Sequence, residues 1–492
     1  MAAAAVAFGA ALAGPFQFDD FALLGDAAVT SVDGWWQCWL PLQTRPLTWF
    51  TYWVNFQLHG GAPFGFHLFS LLIHLGSVAM AHRVLVRVVP GPVAFVAVGV
   101  FAVHPIQAEA VSYIFDRGTL LMAFFCLVSL DFWLRGRHWL AAVWFVPALL
   151  SKEECVAFPL FYVLLHVTRR GGRDEWGPIA VMLASSVAAG VRVLMATSVV
   201  AGSGAGVQAG VGAWEYFQTQ GVVVWRYLRL LVAPFGFSIE APVSVTTGVF
   251  AMVGWAAVGA LCVLAWRHRA GAGLWGLAAM VWIAPSSTFL PAADLAADRR
   301  MYLPVLALGV VLGYLLHQRP RWVLVGLMMV WIPISVRQAF VWTSPQRLWG
   351  EALHFAPDKV RPRIQLSRVL ENPAERMALL AEAESLAPED AGVASEQGRV
   401  LLEAGNPAQA LGAFGRALAL TPNDPLAMNN RGVALSQMQQ HDAARADFLR
   451  ALERDPCLFD ARYNLRKLGV ESTPPRHCRY TPEQKRLLGQ PQ

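Results

Sequence analysis

Ten apolar runs follow one another between residues 66 and 341, near 66–88, 92–113, 118–134, 139–151, 154–168, 177–199, 246–266, 272–291, 301–316 and 321–341. Backbone buried in hydrocarbon must satisfy its own amides, so runs of this kind fold as helices. Arg83 and Arg87, Arg135 and Arg137, Arg169, Arg170 and Arg173, Arg267 and Arg269, and Arg319 and Arg321 fall in every second connection. Basic residues collect in cytoplasmic connections, so the intervening ones face outward. With the apolar stretch 1–15 as a first segment, the pattern predicts about eleven spans, the N-terminus inside and the C-terminus outside. That stretch is shorter than the roughly 20 residues a span needs. It reads as a trimmed span or as a signal-like segment ending near Ala11-Leu12-Ala13, and both readings place the residues after it on the outer side.

Composition agrees with a polytopic membrane protein. Of 492 residues 56% are hydrophobic and only 15% charged, against about 25% charged in soluble domains. The 19 Trp and 28 Phe suit interfacial belts and lipid-facing walls. A net charge of +6 follows largely from Arg in inner connections and requires no nucleic-acid partner. No pair of the six Cys has metal-ligand spacing. Cys457 and Cys478 are able to pair if the tail lies in an oxidising compartment.

The outer side then holds the 16–66 loop, the 200–245 segment and everything after 342. Residues 214–237 include Arg226 and Arg229 amid apolar neighbours, which predicts an amphipathic helix lying in the interface. From about Ser344 the chain turns polar and Ala-rich. Pro388, Pro422 and Pro456 recur at 34 residues, as do Gly398 and Gly432, Ala410 and Ala444, Phe414 and Phe448, and Ala417 and Ala451. This is the period and pattern of tetratricopeptide repeats. Two repeats are clear, a degraded one precedes them at 374–388, and 345–365 reads as a further half. Stacked helix pairs of this type form a concave surface for extended peptide. The expected fold is all-α: a polytopic membrane helix bundle over 1–343, an α-solenoid over 344–470 and a polar tail over 471–492.

Ionisable groups at membrane depth are costly and usually functional. Asp19 and Asp20 adjoin at the outer end of the first segment, where mutual repulsion raises one pKa and a carboxylate is placed to act as a general base. Arg45 is the first basic side chain of the sequence; a guanidinium there serves either a phosphate or a stack on Trp39 or Trp49. Pro105, after His104 and before Glu109, breaks a helix at the outer end of the third span. Lys152 is the only lysine before Lys359 and stands beside Glu153 and Glu154. Arg299 and Arg300, on the outer side, require an anion, for which Asp298 or a lipid phosphate would serve.

The order of these elements resembles the transmembrane and tetratricopeptide-repeat O-mannosyltransferases, of the C-type glycosyltransferase superfamily. The resemblance rests on Asp19-Asp20, Arg45-Pro46-Leu47-Thr48, Pro63 to His67 with His74, Phe101 to Pro105 with Glu109-Ala110-Val111, Ser151-Lys152-Glu153, Arg300-Met301-Tyr302-Leu303-Pro304 and the repeats. Thr44, Ser70 and Gln107-Ala108 depart from the family pattern. The resemblance implies inverting transfer of a sugar, mannose in that family, from a polyprenyl-phosphate carrier to Ser or Thr hydroxyls of exported proteins on the non-cytoplasmic face. It implies Asp19 or Asp20 as base, and Arg45, Lys152, Arg299, Arg300 and Tyr302 around the donor phosphate. His67, His104, Glu109 and Glu153 would support the site. The lipid-linked sugar is then a co-substrate, with no cofactor and no divalent metal expected, and the acceptor polypeptide is the partner of the repeats. Two other readings remain: a glycosyltransferase acting on lipid A or cell-wall glycan, and a non-catalytic membrane scaffold whose repeats bind peptide. The Ala, Gly and Arg usage hints at a GC-rich bacterial genome and thus a periplasmic or extracellular outer side, with an ER-lumenal one the eukaryotic equivalent.

Overall fold

The computed structural model describes residues 1–40, 44–199, 210–475, 478 and 480–489, with the side chains of Val199 and Arg321 also left out. Parts of the expected 16–66, 200–245 and tail segments therefore lie outside the described residues. The described chain is helical, without a β-strand. Its contacts form two units, Met1–Leu23 with Trp35–Ser344, and Leu24–Gly34 with Pro345–Gln492.

In the first unit five helices have the length and hydropathy to cross a membrane: Pro63–Leu85, Ile114–Leu134, Arg173–Ser198, Val249–Arg267 and Trp322–Val341. Gly91–Val103 and Pro105–Ser112 make a sixth if taken as one span bent by 46°. The break falls at Pro105, which has no N–H to continue the ladder. Shorter apolar helices, Ala2–Ala13, His138–Ser151, Ala272–Ser286 and Pro304–Leu316, complete the bundle.

Close packing in a bundle depends on small residues where backbones meet. Gly309 and Gly313, four apart on helix Pro304–Leu316, face helix Gly91–Val103. A Cβ on Gly313 would stand 2.8 Å from the Val93 carbonyl oxygen, and one on Gly309 would stand 3.1 Å from that of Ala97. Helix Arg117–Leu134 packs between Pro63–Leu85 and His138–Ser151.

Helix Ala213–Val232 has the amphipathic character expected. Tyr216, Thr219, Gln220, Val223, Tyr227 and Leu230 are buried along one face. Arg226, whose side chain is only 8% exposed, pairs with Asp298, while Arg229 is exposed. A buried carboxylate accommodates Arg226.

The second unit stacks helix pairs. Ala391–Glu403 packs on Pro407–Leu420, and Pro425–Gln437 on His441–Arg454. Before them Val360–Val369 packs on Pro373–Leu386, so the degraded stretch at 374–388 is the second helix of a pair. Gly398 meets the ring of Phe414 and Gly432 that of Phe448; a Cβ at either glycine would fall 2.6 Å from the ring. This glycine–phenylalanine contact, repeated 34 residues on, sets the helix spacing within each repeat. Cys457 and Cys478 form a disulfide, and Tyr480 packs edge-on against Phe459.

Candidate functional site

The chain turns at Phe18, whose φ is 46°, and presents the two adjacent carboxylates in different environments. Asp20 is fully buried. Its Oδ2 accepts the Gln17 N–H at 3.0 Å and its Oδ1 the Phe115 N–H at 2.7 Å. Burial pushes its pKa up to about 8, against the pull of those two amides, with the neighbouring Asp19 adding a smaller upward push. Asp19 is partly exposed, and its Oδ2 accepts the Tyr113 hydroxyl at 2.8 Å. Tyr113 is itself stacked on Trp342 at 5.3 Å. One carboxylate thus ties the turn to the Phe115 backbone, and the other is aimed by a tyrosine into a partly open space.

Each predicted cation has a defined partner. Arg45 takes a left-handed backbone, φ 58° and ψ 44°, a conformation that costs a non-glycine residue about 1 kcal/mol. Its guanidinium forms a two-pronged pair with Glu153, its Nε donating at 2.9 Å. Burial works to raise the Glu153 pKa, but Arg45 overrides it and holds the carboxyl down to about 2. Among the described residues Arg45 is held by Glu153 and not by a stack on Trp39 or Trp49. Lys152 donates to Asp116 at 2.8 Å and to Thr119 at 2.6 Å, with Glu154 at 3.4 Å.

Arg299 is compensated by Glu109 and by Asp294, the latter at 2.8 Å, not by Asp298. Arg300 stands apart from the other three cations, because among the described residues its hydrogen bonds go to neutral oxygens. It donates to the Tyr216 hydroxyl at 3.1 Å, the Asp294 carbonyl at 2.7 Å and the Leu295 carbonyl at 3.4 Å. Arg300 also lines a cleft with Thr119, Glu154, Phe158, Trp282 and Pro304. Asp116 acts electrostatically on both Arg45 and Arg299, and Arg299 acts on Tyr113, so these groups form one connected field.

Tyr302, His104 and His67 make packing contacts inside the unit. Tyr302 is fully buried and its hydroxyl meets His74 Nδ1 at 2.7 Å. It therefore faces the core. His104 accepts the Ile106 N–H and contacts the Leu231 carbonyl at 3.1 Å, which secures the bend at Pro105. His67 is buried against Gly14.

The structure adds a group that the sequence analysis passed over. Arg117 is completely buried. It donates to the Phe66 carbonyl at 2.9 Å and to Thr51 at 3.3 Å, and lies over the rings of Tyr52 at 4.6 Å and Phe69 at 4.9 Å. Its charge also reaches Asp20. The signal was available: like Arg299 and Arg300, Arg117 falls on the side where arginine is disfavoured. Among the described residues no group of three His, Cys, Asp or Glu side chains is arranged to hold a metal ion.

Residues 395–456 match the tetratricopeptide repeat family. The chain is 29% identical over 139 residues to protein O-mannosyl-transferase F38B6.6 of Caenorhabditis elegans, covering 27% of this chain and 20% of that protein. It is 32% identical over 140 residues to protein O-mannosyl-transferase Tmtc2 of Drosophila melanogaster, covering 25% and 15%. With human protein O-mannosyl-transferase TMTC4 it shares 35% identity over 102 residues, 17% of this chain and 14% of that one. The chain thus spans a fifth or less of the length of these relatives. Among solved structures, ArnT from Cupriavidus metallidurans bound to undecaprenyl phosphate aligns over 91% of this chain and 78% of its own, at 16% identity and a TM-score of 0.42. Over these stretches the chain is similar to protein O-mannosyl-transferases, and it carries tetratricopeptide repeats.

Proposed function

We propose that this chain is a membrane glycosyltransferase that moves a sugar from a polyprenyl-phosphate carrier to Ser or Thr hydroxyls of polypeptides on the non-cytoplasmic face. The observation that carries the proposal is the division of labour between Asp19 and Asp20. Asp20, with both oxygens on backbone amides and its charge disfavoured by burial, anchors the turn. Asp19, partly exposed and oriented by Tyr113, is the base. It takes the proton of the acceptor hydroxyl as that oxygen bonds to the anomeric carbon from the face opposite the carrier, so the configuration inverts. The bond from the anomeric carbon to the phosphate oxygen breaks, and its electron pair leaves with the lipid phosphate.

Charge developing on that phosphate is best met by a cation not already neutralised, since preorganised donors act most strongly where charge appears. Arg300 has that character. Arg45, Lys152 and Arg299 are each spoken for by carboxylates, and set the field around it. This assignment revises the part expected of Tyr302, which supports helix packing through His74. For the acceptor, the repeat unit offers a groove lined by Pro388, Val393, Ala394 and Leu420. A polar row crosses it: Arg416 donates to Gln397 at 2.8 Å, and Gln397 to Glu384 at 2.9 Å. The Cys457–Cys478 disulfide supports an oxidising compartment for the repeats.

The test is transfer of labelled mannose from a polyprenyl-phosphate donor by purified wild type, Asp19→Asn and Asp20→Asn. Loss of a general base lowers rates by about 10²–10⁴-fold, and that loss is expected for Asp19→Asn with donor binding retained. Asp20→Asn is expected to keep measurable turnover. Full activity in Asp19→Asn would remove the carboxylate mechanism.

A further inference from the structure

Far along the chain from the Asp19 turn, the C-terminal ends of helices Pro63–Leu85 and Arg117–Leu134 carry a second charged cluster that the transfer reaction does not use. Asp131, whose side chain is 5% exposed, is approached by three guanidiniums. Arg135 Nη2 lies at 2.8 Å from Oδ2, Arg83 Nε at 3.2 Å from Oδ1, and Arg87 Nη1 bonds to the same Oδ1. Three cations around one carboxylate leave two positive charges uncompensated. The guanidiniums reach outward, with side chains 51%, 36% and 30% exposed for Arg83, Arg87 and Arg135, so each retains donors for another anion.

The surroundings add charge of the same sign. Arg137 is exposed two residues beyond Arg135, and the nearby carboxylate Asp174 is engaged with His138. Apolar side chains fix the depth. Trp139 is 61% exposed, and Val86 and Leu140 are exposed with it, although no soluble surface benefits from such groups. An exposed Trp next to arginines at the end of apolar helices marks the level of lipid headgroups. Basic pockets between membrane helices recognise multiply charged headgroups there. A buried acid that gathers three arginines keeps them from spreading over the surface, and the fork of each suits a phosphate oxygen pair.

We propose that Arg83, Arg87 and Arg135, gathered by Asp131, form a binding site for an anionic phospholipid headgroup with two phosphodiesters. Two phosphodiester charges match the two uncompensated cations. Asp131 is a positioning residue, and the apolar rim of Val86, Trp139 and Leu140 receives the first carbons of the acyl chains.

The test is native mass spectrometry of the full-length protein released from detergent micelles, titrated with tetraoleoyl cardiolipin, dioleoyl phosphatidylglycerol, dioleoyl phosphatidylcholine and, separately, inorganic pyrophosphate. Cardiolipin is expected to be retained most, and Arg83→Gln/Arg87→Gln to weaken its binding by about fivefold per guanidinium removed. Arg267→Gln/Arg269→Gln, which removes the same charge from another helix end, is expected to leave it unchanged. Equal loss in both double variants, or no preference for cardiolipin over phosphatidylcholine, overturns the site. Displacement of cardiolipin by equimolar pyrophosphate overturns the lipid as its occupant. Should the double variant not be recovered folded, Arg87→Gln alone gives the same comparison, because Arg83 and Arg135 still hold Asp131.

Discussion

Two neighbouring aspartates with different surroundings make a distinction that their sequence leaves open. Repulsion between adjacent carboxylates predicts that one is protonated more readily, and the burial of Asp20 decides which. Unfolded, this carboxyl ionises near its ordinary 3.8; folded, near 8. Between those values the folded state holds a proton that the unfolded state has lost, so stability falls as pH rises. The contribution is complete below about 3.8 and gone above about 8. Asp20→Asn cannot ionise, so the thermal midpoint of the variant is expected to decline less than that of wild type from pH 5 to 8. Parallel profiles would mean that Asp20 is ionised in the fold, and the assignment of Asp19 as base would lose its support. Partners of the cations were beyond sequence reasoning. Arg45 meets Glu153 and Arg299 meets Glu109 across more than a hundred residues of chain, and no local spacing encodes such a choice.

Helices were legible where a local cause ends or pairs them. Pro105 stops a helix wherever it stands, and the bend follows. The apolar run at 272–291 extends beyond its helix, because hydropathy continues past Ile283 while Pro285 and the serines after it end the regular helix. The run at 301–316 was read three residues too early, because 298–301 coil as a tight turn that holds Arg299 and Arg300. Helix Ala213–Val232 is amphipathic, as its sequence predicts, but the pairing of its mid-helix Arg226 with Asp298 joins positions 72 residues apart and has no local signal. The 34-residue period survives translation into structure because the contact behind it lies within one repeat. Gly398→Ala would place a methyl 2.6 Å from the Phe414 ring, and overpacking costs typically about 1–3 kcal/mol. Chemical denaturation followed by proteolysis of the repeats should show that loss. Phe414→Leu on the same background should recover part of it, as a double-mutant cycle with a favourable coupling. An unchanged Gly398→Ala stability would remove the glycine–phenylalanine contact as the determinant of helix spacing.

At the scale of the whole molecule, the proposed function assigns two tasks to two separate cores. Chemistry requires charge buried among apolar helices, which the first unit supplies; capture of an extended polypeptide requires a polar, ridged surface, which stacked repeats supply. The abrupt change in composition near Ser344 made the existence of these two kinds of surface legible, but their ligands were not, since a groove's shape and charge emerge only when helices stack. If the groove at Arg416 captures the acceptor, reversing its charge should act on capture alone. Arg416→Glu puts a third acid beside Glu384 and Asp390 and takes away the donor to Gln397. The expected outcome is a raised KM for a folded or long polypeptide acceptor, with kcat unchanged, and unaltered transfer to a short Ser/Thr peptide that cannot span the groove. This split is the kinetic mark of binding made equally in the ground and transition states. A fall in kcat for both acceptors would instead tie the repeats to the chemical step. Unchanged kinetics with both would leave the repeats without a part in acceptor capture, and the groove would then have to serve a partner other than the substrate.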